Sequence, residues 1–126
     1  MNQPDAISKI KSVLKKQQNA WNNGDIEGFM QGYWQSEELI FESENGITKG
    51  WQNILARYKK AYPSKEEMGS LAFEIFDAKL KNDSIATLKG KWKLIIENDN
   101  PKGDFLLTFN KIDGQWLIVK DYTTSE

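Results

Sequence analysis

The chain has no cysteine and no histidine among its 126 residues. The first absence excludes disulfides, thiolate nucleophiles and cysteine-ligated zinc or iron–sulfur centres. The second removes the commonest general base together with the commonest transition-metal ligand, which leaves carboxylates, lysine and tyrosine for any proton transfer. A surplus of one charge is lacking too: 17 basic against 18 acidic residues give a formal charge of -1, so no field gathers nucleic acid or anionic lipid. No apolar run approaches the roughly 20 residues of a membrane-spanning helix, and the opening Met1 to Lys9 has no apolar signal-peptide core. The expectation is therefore a cytoplasmic protein with neither a nucleic-acid nor a membrane partner. With only three prolines, no repeat and no Pro/Gly-rich linker, the chain reads as one domain over residues 1–126. A domain of that length buries roughly two thirds of the surface its unfolded form exposes and needs no covalent staple.

What is present is a heavy aromatic load, five tryptophans, four tyrosines and six phenylalanines, which suits a lined cavity as well as a solid core. The organising stretch is Gly103 to Thr123, two apolar runs joined through Asp113-Gly114, a strong hairpin signal. Uniform alternation pairs Phe109 with Ile118, Leu107 with Lys120 and Phe105 with Tyr122. One face is then Phe105, Leu107, Phe109, Trp116, Ile118, Lys120 and Tyr122. The other carries Leu106, Leu117, Val119 and Asp121. Leu106, Leu117 and Val119 are aliphatic where a solvated monomer would carry polar groups.

Upstream, Asp5 is placed to cap a helix with Ile7, Ile10, Leu14, Gln17 and Trp21 on one stripe, and Lys9, Lys11, Lys15 and Lys16 form its solvated flank. Asn22 to Asp25 ends it and starts a second helix over Asp25 to about Trp34, followed by a strand at Leu39–Ser43, a turn at Asn45-Gly46 and a short return at Ile47-Thr48. A third helix carries Trp51, Ile54, Leu55, Tyr58 and Tyr62 on one face and ends at Pro63. Ser64 to Gly69 reads as a charged, mobile loop. Strands follow at Ser70–Leu80 and Ser84–Glu97, the second alternating so that Gly90, Trp92, Leu94 and Ile96 share a face. If Glu97 meets Asp104, Trp92 falls beside Phe109 and Leu94 beside Leu107.

This order resembles the nuclear transport factor 2-like superfamily, and within it the SnoaL-like polyketide-cyclase and ketosteroid-isomerase-like branch. The resemblance is carried by Ala20-Trp21 before Asn23-Gly24-Asp25, Thr48-Lys49-Gly50 before the third helix, Gly103 at a strand start, and the closing Gly114-x-Trp116-x-Ile118-Val119. It implies an α+β, cystatin-like fold: a strongly curved antiparallel sheet wrapped as a cone around three helices, with a deep apolar pocket at its open end. It also implies a homodimer packed through the outer sheet face. The scaffold hosts isomerases, cyclases, epoxide hydrolases, dehydratases and non-catalytic adaptors alike. Relatives often end the last strand with a pocket-facing histidine where this chain has Lys120 or Tyr122. The first helix has no tyrosine to match the isomerases' Tyr and Asp pair and offers Gln17 and Trp21 instead.

On the uniform register Lys120 projects between Ile118 and Tyr122, where desolvation lowers an amine's pKa towards that of a base or Schiff-base nucleophile; its alternative is to lie along apolar surface with the ammonium in water. Tyr33, Tyr58 and Tyr122 can each aim a hydroxyl into the cavity as an oxyanion donor, or simply bond a backbone carbonyl. Glu42 and Asp121 are further carboxylate candidates for a base, although both alternate away from the proposed interior. Trp34, Trp92 and Phe105 are expected as cavity wall or as core packing. Asn98-Asp99-Asn100 with Asp104 matches no calcium-loop spacing and reads as a turn, and no Gly-rich phosphate loop is present. No metal or cofactor is expected. The leading expectation is a binding domain for a small organic ligand; the alternatives are an isomerase, cyclase or dehydratase using carboxylate or lysine chemistry, and a dimeric adaptor.

Overall fold

The computed structural model describes residues 3–97 and 99–126. Four helices and six strands follow in the order α1 (Gln3–Asn22), α2 (Ile26–Met30), β1 (Ile40–Ser43), β2 (Gly46–Lys49), α3 (Trp51–Ala61), α4 (Lys65–Met68), β3 (Ser70–Asn82), β4 (Ile85–Ile95), β5 (Lys102–Ile112) and β6 (Gln115–Thr123). The α+β architecture expected from the sequence is present. The strands form one sheet in the order β2-β1-β6-β5-β4-β3. Where an antiparallel sheet was expected the sheet is mixed, because β1 runs parallel to β6, with Phe41 opposite Asp121. No helix among the described residues is long and apolar enough to cross a membrane.

Helix α1 buries Ala6, Ile10, Leu14, Gln17 and Trp21 at three- and four-residue steps, so its stripe faces the sheet. It begins before Asp5, which therefore sits in the first turn rather than at the cap, where its charge complements the helix dipole. The turn that follows needs Gly24 at φ 77°, and the Asp25 carboxylate then accepts from the Gly28 amide at 2.8 Å to cap α2. This helix stops at Met30, earlier than expected, because the next residues leave it to join the sheet. The Ile118 amide donates to the Gly32 carbonyl, the Trp34 amide donates to the Ile118 carbonyl, and Tyr33 bridges to Ile118.

The β1–β2 turn is one residue earlier than expected: Ser43 pairs with Gly46, leaving Glu44 and Asn45 at its tip. The segment expected as a mobile loop contains α4. Its Ser64 hydroxyl accepts from the Glu67 amide at 3.4 Å, and Met68 is buried beneath Trp21, whose indole donates to the Met68 carbonyl at 2.8 Å. Ser64-x-x-Glu67 is a capping-box sequence, a signal for this helix that lay in plain view.

Register decides which side chains face inward. Asp113 and Gly114 both have positive φ, 50° and 82°, as a two-residue hairpin turn of the mirror-image type requires. Pairing runs as expected from Ile112↔Gln115 to Phe109↔Ile118, and then slips: Thr108 meets Lys120, Leu107 meets Asp121 and Phe105 meets Thr123. Val119 is left without a partner, a β-bulge, and beyond it the alternation reverses. The expected pairs Leu107 with Lys120 and Phe105 with Tyr122 are thereby corrected. Strand β4 pairs with β5 six residues away from the expected register, Trp92 opposite Gly103 and Leu88 opposite Leu107, because Ile96 and Asp99 already bridge at the turn. Six is even, so Gly90, Trp92 and Leu94 keep the face assigned to them. Asn98, expected in that turn, lies outside the described residues. Further bulges lie in β3 between Ile75 and Asp77 and between Leu80 and Asn82.

Candidate functional site

The starts of β3 and β5 and the ends of β4 and β6 lie at the same end of the sheet, since these neighbours are antiparallel. There the inner face is not filled. A cavity of about 260 Å³ is bounded by the sheet, by α3, by Trp21 and Phe29 of the first two helices, and by the β1–β2 turn. Its wall carries two sets of rings in contact. Trp21 meets Phe29, Tyr58 and Tyr62 edge-on at centroid distances of 5.1, 5.8 and 5.0 Å, and Phe73 meets Phe105 at 5.4 Å across the sheet. Helical spacing makes part of this wall, because Tyr58 on α3 and Tyr62, the residue that caps its C-terminus, are four apart and stack at 6.4 Å. Strand alternation makes the rest, placing Leu71 and Phe73 on the inner face of β3 and Phe105 and Leu107 on that of β5.

Asp121 stands among these rings, 4% exposed. The Tyr33 hydroxyl donates to its Oδ2 at 2.6 Å and the Thr123 hydroxyl donates to its Oδ1 at 2.5 Å. Burial raises the carboxyl's pKa, and the hydrogen bonds from Thr123 and Tyr33 offset that in part. Tyr33 is raised well above the ordinary phenol value, first by burial and then by the negative charge of Asp121. Tyr58 is raised for the same two reasons, and Tyr62 by burial. All three phenols therefore stay protonated as donors at any physiological pH. Among the described residues, no lysine or arginine forms an ion pair with Asp121.

The rim is polar. Arg57 is exposed there, its guanidinium donating to the Thr48 hydroxyl at 2.8 Å and lying 5.5 Å from the Phe41 ring centroid. On the other side the Trp92 indole donates to the Thr124 carbonyl at 3.0 Å, and the Glu44 carboxylate accepts from the Ser125 amide at 3.1 Å, so the last residues of the chain are tied beside the opening.

The structure brings Tyr33, Tyr58, Trp92, Phe105 and Asp121 together around the cavity. It does not bring Lys120, Tyr122, Glu42 or Trp34 there. The bulge at Val119 turns Lys120 outward, where its ammonium lies 3.8 Å from the Glu42 carboxylate with half of the side chain exposed. Tyr122 is 41% exposed on the outer face for the same reason, and Trp34 is half-buried elsewhere. The inward placement expected for Lys120 and Tyr122 is thus corrected, and so is the outward placement of Asp121. Arg57, Thr123, Phe73 and Tyr62 also line the cavity and were not singled out for it. The Leu71-x-Phe73-x-Ile75 alternation could have pointed to Phe73, and the four-residue step from Tyr58 to Tyr62; nothing local marks Thr123.

Among the described residues, four helices and a mixed six-stranded sheet with a cavity at one end define the cystatin-like, nuclear transport factor 2-like class of α+β protein. Comparison with solved structures gives the same class. A nuclear transport factor 2-like protein of unknown function from Shewanella oneidensis MR-1 is 42% identical, covers 93% of this chain and 97% of its own, and superposes with a TM-score of 0.91. A domain of unknown function with a cystatin-like fold from Nostoc punctiforme is 23% identical over 100% of this chain and 80% of its own, with a TM-score of 0.82. A ketosteroid isomerase-like protein from Erwinia carotovora is 13% identical over 94% of this chain and 95% of its own, with a TM-score of 0.76. The chain belongs to the nuclear transport factor 2-like family. No protein-family model matches it, and no curated protein does.

Proposed function

We propose that the chain is a small-molecule-binding domain, one SnoaL-like domain over residues 1–126, whose cavity takes a compact organic ligand with an apolar or aromatic body. The observation that carries this is an unfilled, ring-walled space at the end of the sheet with a few convergent polar groups, Tyr33, Asp121 and Thr123. Its volume of about 260 Å³ lies just under the ~300–1,000 Å³ of pockets for drug-sized ligands, which favours one or two rings over a steroid. Tyr33, Tyr58, Trp92 and Phe105 are the ligand contacts expected from the sequence that this reading retains. A cytoplasmic location and a homodimer through the outer sheet face belong to the same proposal. A thermal-shift screen tests the ligand: one- and two-ring compounds should raise the melting temperature, since a ligand at about 100 times its Kd adds roughly 2.7 kcal/mol. If no compact aromatic, polyketide-like or steroid-like compound shifts it, the reading is wrong.

A second reading has one specific observation behind it, the 2.6 Å hydrogen bond between Tyr33 and a carboxyl whose pKa burial raises. A base of raised pKa beside phenol donors is a combination suited to removing a proton next to a carbonyl, as in isomerase, cyclase or dehydratase chemistry. Exchange of the α-protons of small ketones into deuterated water, followed by NMR, should then fall by about 10²-fold or more in Asp121→Asn. No exchange above the buffer rate in the wild-type protein would leave only the binding reading. The adaptor reading anticipates a filled cavity, and the open space at this end of the sheet weighs against it.

A further inference from the structure

Among the described residues, the acid buried in the cavity, Asp121, has no ion-pair partner. Of the described residues that line the cavity only Arg57 is basic, and that guanidinium sits at the exposed rim, engaged by Thr48 and Phe41. Asp121 is deeper, and the groups that meet its carboxylate are neutral hydroxyls donating to both oxygens. A carboxylate has roughly four acceptor sites, of which these two bonds occupy half. An ionised carboxylate so placed pays for its desolvation without the return an opposite charge would give. A neutral ligand leaves that deficit standing. An anionic ligand adds a like charge beside Asp121 and Glu44.

We propose that the ligand carries a protonated amine, its ammonium seated against Asp121 and its apolar body among Trp21, Phe29, Tyr58, Phe73 and Phe105. This rests on the reading of the cavity as a small-molecule site and names the chemical class that site selects. The ammonium supplies the missing counter-charge, donates to the free acceptor sites of the carboxylate, and gains from the quadrupoles of the surrounding rings. Arg57 at the rim is far less selective, because it is solvated and already bonded.

The test uses the wild-type protein and three matched probes in isothermal titration calorimetry near neutral pH: 3-phenylpropylamine, its neutral counterpart 3-phenylpropan-1-ol, and 3-phenylpropanoate. The amine should bind at least about tenfold more tightly than the alcohol, and the carboxylate most weakly of the three. Asp121→Asn should weaken the amine far more than the alcohol, by about tenfold or more, and so remove the amine's advantage. An alcohol that binds as well as the amine, or a carboxylate that binds best, overturns the inference while the cavity remains a ligand site. If Asp121→Asn weakens amine and alcohol alike, Asp121 only shapes the wall, and the inference again falls. If none of the three binds, the inference fails, and only the wider screen of neutral compounds then decides the reading beneath it. Should the variant not fold, the comparison of the three probes on the wild-type protein decides alone.

Discussion

A carboxylate held away from water with no cation beside it weakens the fold that holds it, and Asp121 is that residue here. The sign follows from proton counting. Because burial raises its pKa in the folded state above the unfolded value, the native chain holds the proton more tightly between the two. Stability from this group is therefore full below the unfolded carboxylate pKa and is lost as pH rises through the raised folded one. Asp121→Asn removes that dependence and keeps the size of the side chain. The variant should melt higher than wild type at pH 7, by roughly a few degrees, with the difference shrinking towards pH 4; thermal denaturation of both proteins over that range checks it. A variant that melts lower at pH 7 would mean that the two hydroxyl bonds contribute more than the burial costs. Asp121 was a candidate in the sequence, but its inward placement was not legible there. Counting by twos from Ile118 sets Asp121 outside, and neither Val119 nor Lys120 is a glycine or an asparagine that would flag the extra residue between them. Tyr58 was legible as an inward ring because the period of α3 sets it with Ile54 and Leu55, whereas Tyr33 was read as inward on a helix that in fact ends at Met30.

The elements themselves followed local rules wherever those rules were strong. Asp113-Gly114 specified its hairpin, Pro63 stopped α3, and the apolar steps of α1 set its buried face. Pairing between elements was less legible, because the chain turns back after β4 sooner than a Glu97–Asp104 pairing implies, Ile96 already bridging Asp99, and so moves the β4–β5 register by six. Close approach of strands shows the same dependence on context at Gly90. A methyl group there would collide with the Glu74 carbonyl oxygen of β3 and come within 2.9 Å of the Phe105 ring, beside the bulge between Ile75 and Asp77. Backbone cannot yield as a flexible side chain does. Gly90→Ala should cost about 1–3 kcal/mol, lower the melting temperature by roughly 5–10 °C and speed amide exchange in β3 more than in β5 and β6. Hydrogen exchange with thermal denaturation tests both halves; an unchanged melting temperature would show that β3 shifts freely at its bulge.

At the scale of the whole molecule, the fold was legible because element order, hairpin turns and buried stripes agreed on it, whereas the cavity is the sum of gaps between side chains from eight elements and no local pattern encodes a gap. The outer face of the sheet presents the remaining question of assembly. Leu106 and Tyr122 are directly opposed across β5 and β6 and are 40% and 41% exposed, and Phe76, at the bulge in β3, is 56% exposed. Lys89 lies opposite Leu106 on the next strand, so apolar side chains are interleaved with charge, as at the rim and core of a self-complementary contact. A second copy related by a two-fold axis would lay each such patch on its own image, the symmetry most small assemblies use. The prediction is that the protein has the mass of two chains by light scattering at micromolar concentration, and that its melting temperature rises with concentration. Leu106→Asp places a charge in the contact without disturbing the core, so it should give the mass of one chain, an unchanged far-UV spectrum and a concentration-independent melting temperature. The cavity lies on the inner face, and the one-chain variant should bind ligand as the wild type does. If the wild-type protein already has the mass of one chain, the exposed leucine and tyrosine are ordinary surface residues and the outer face has no partner of its own kind.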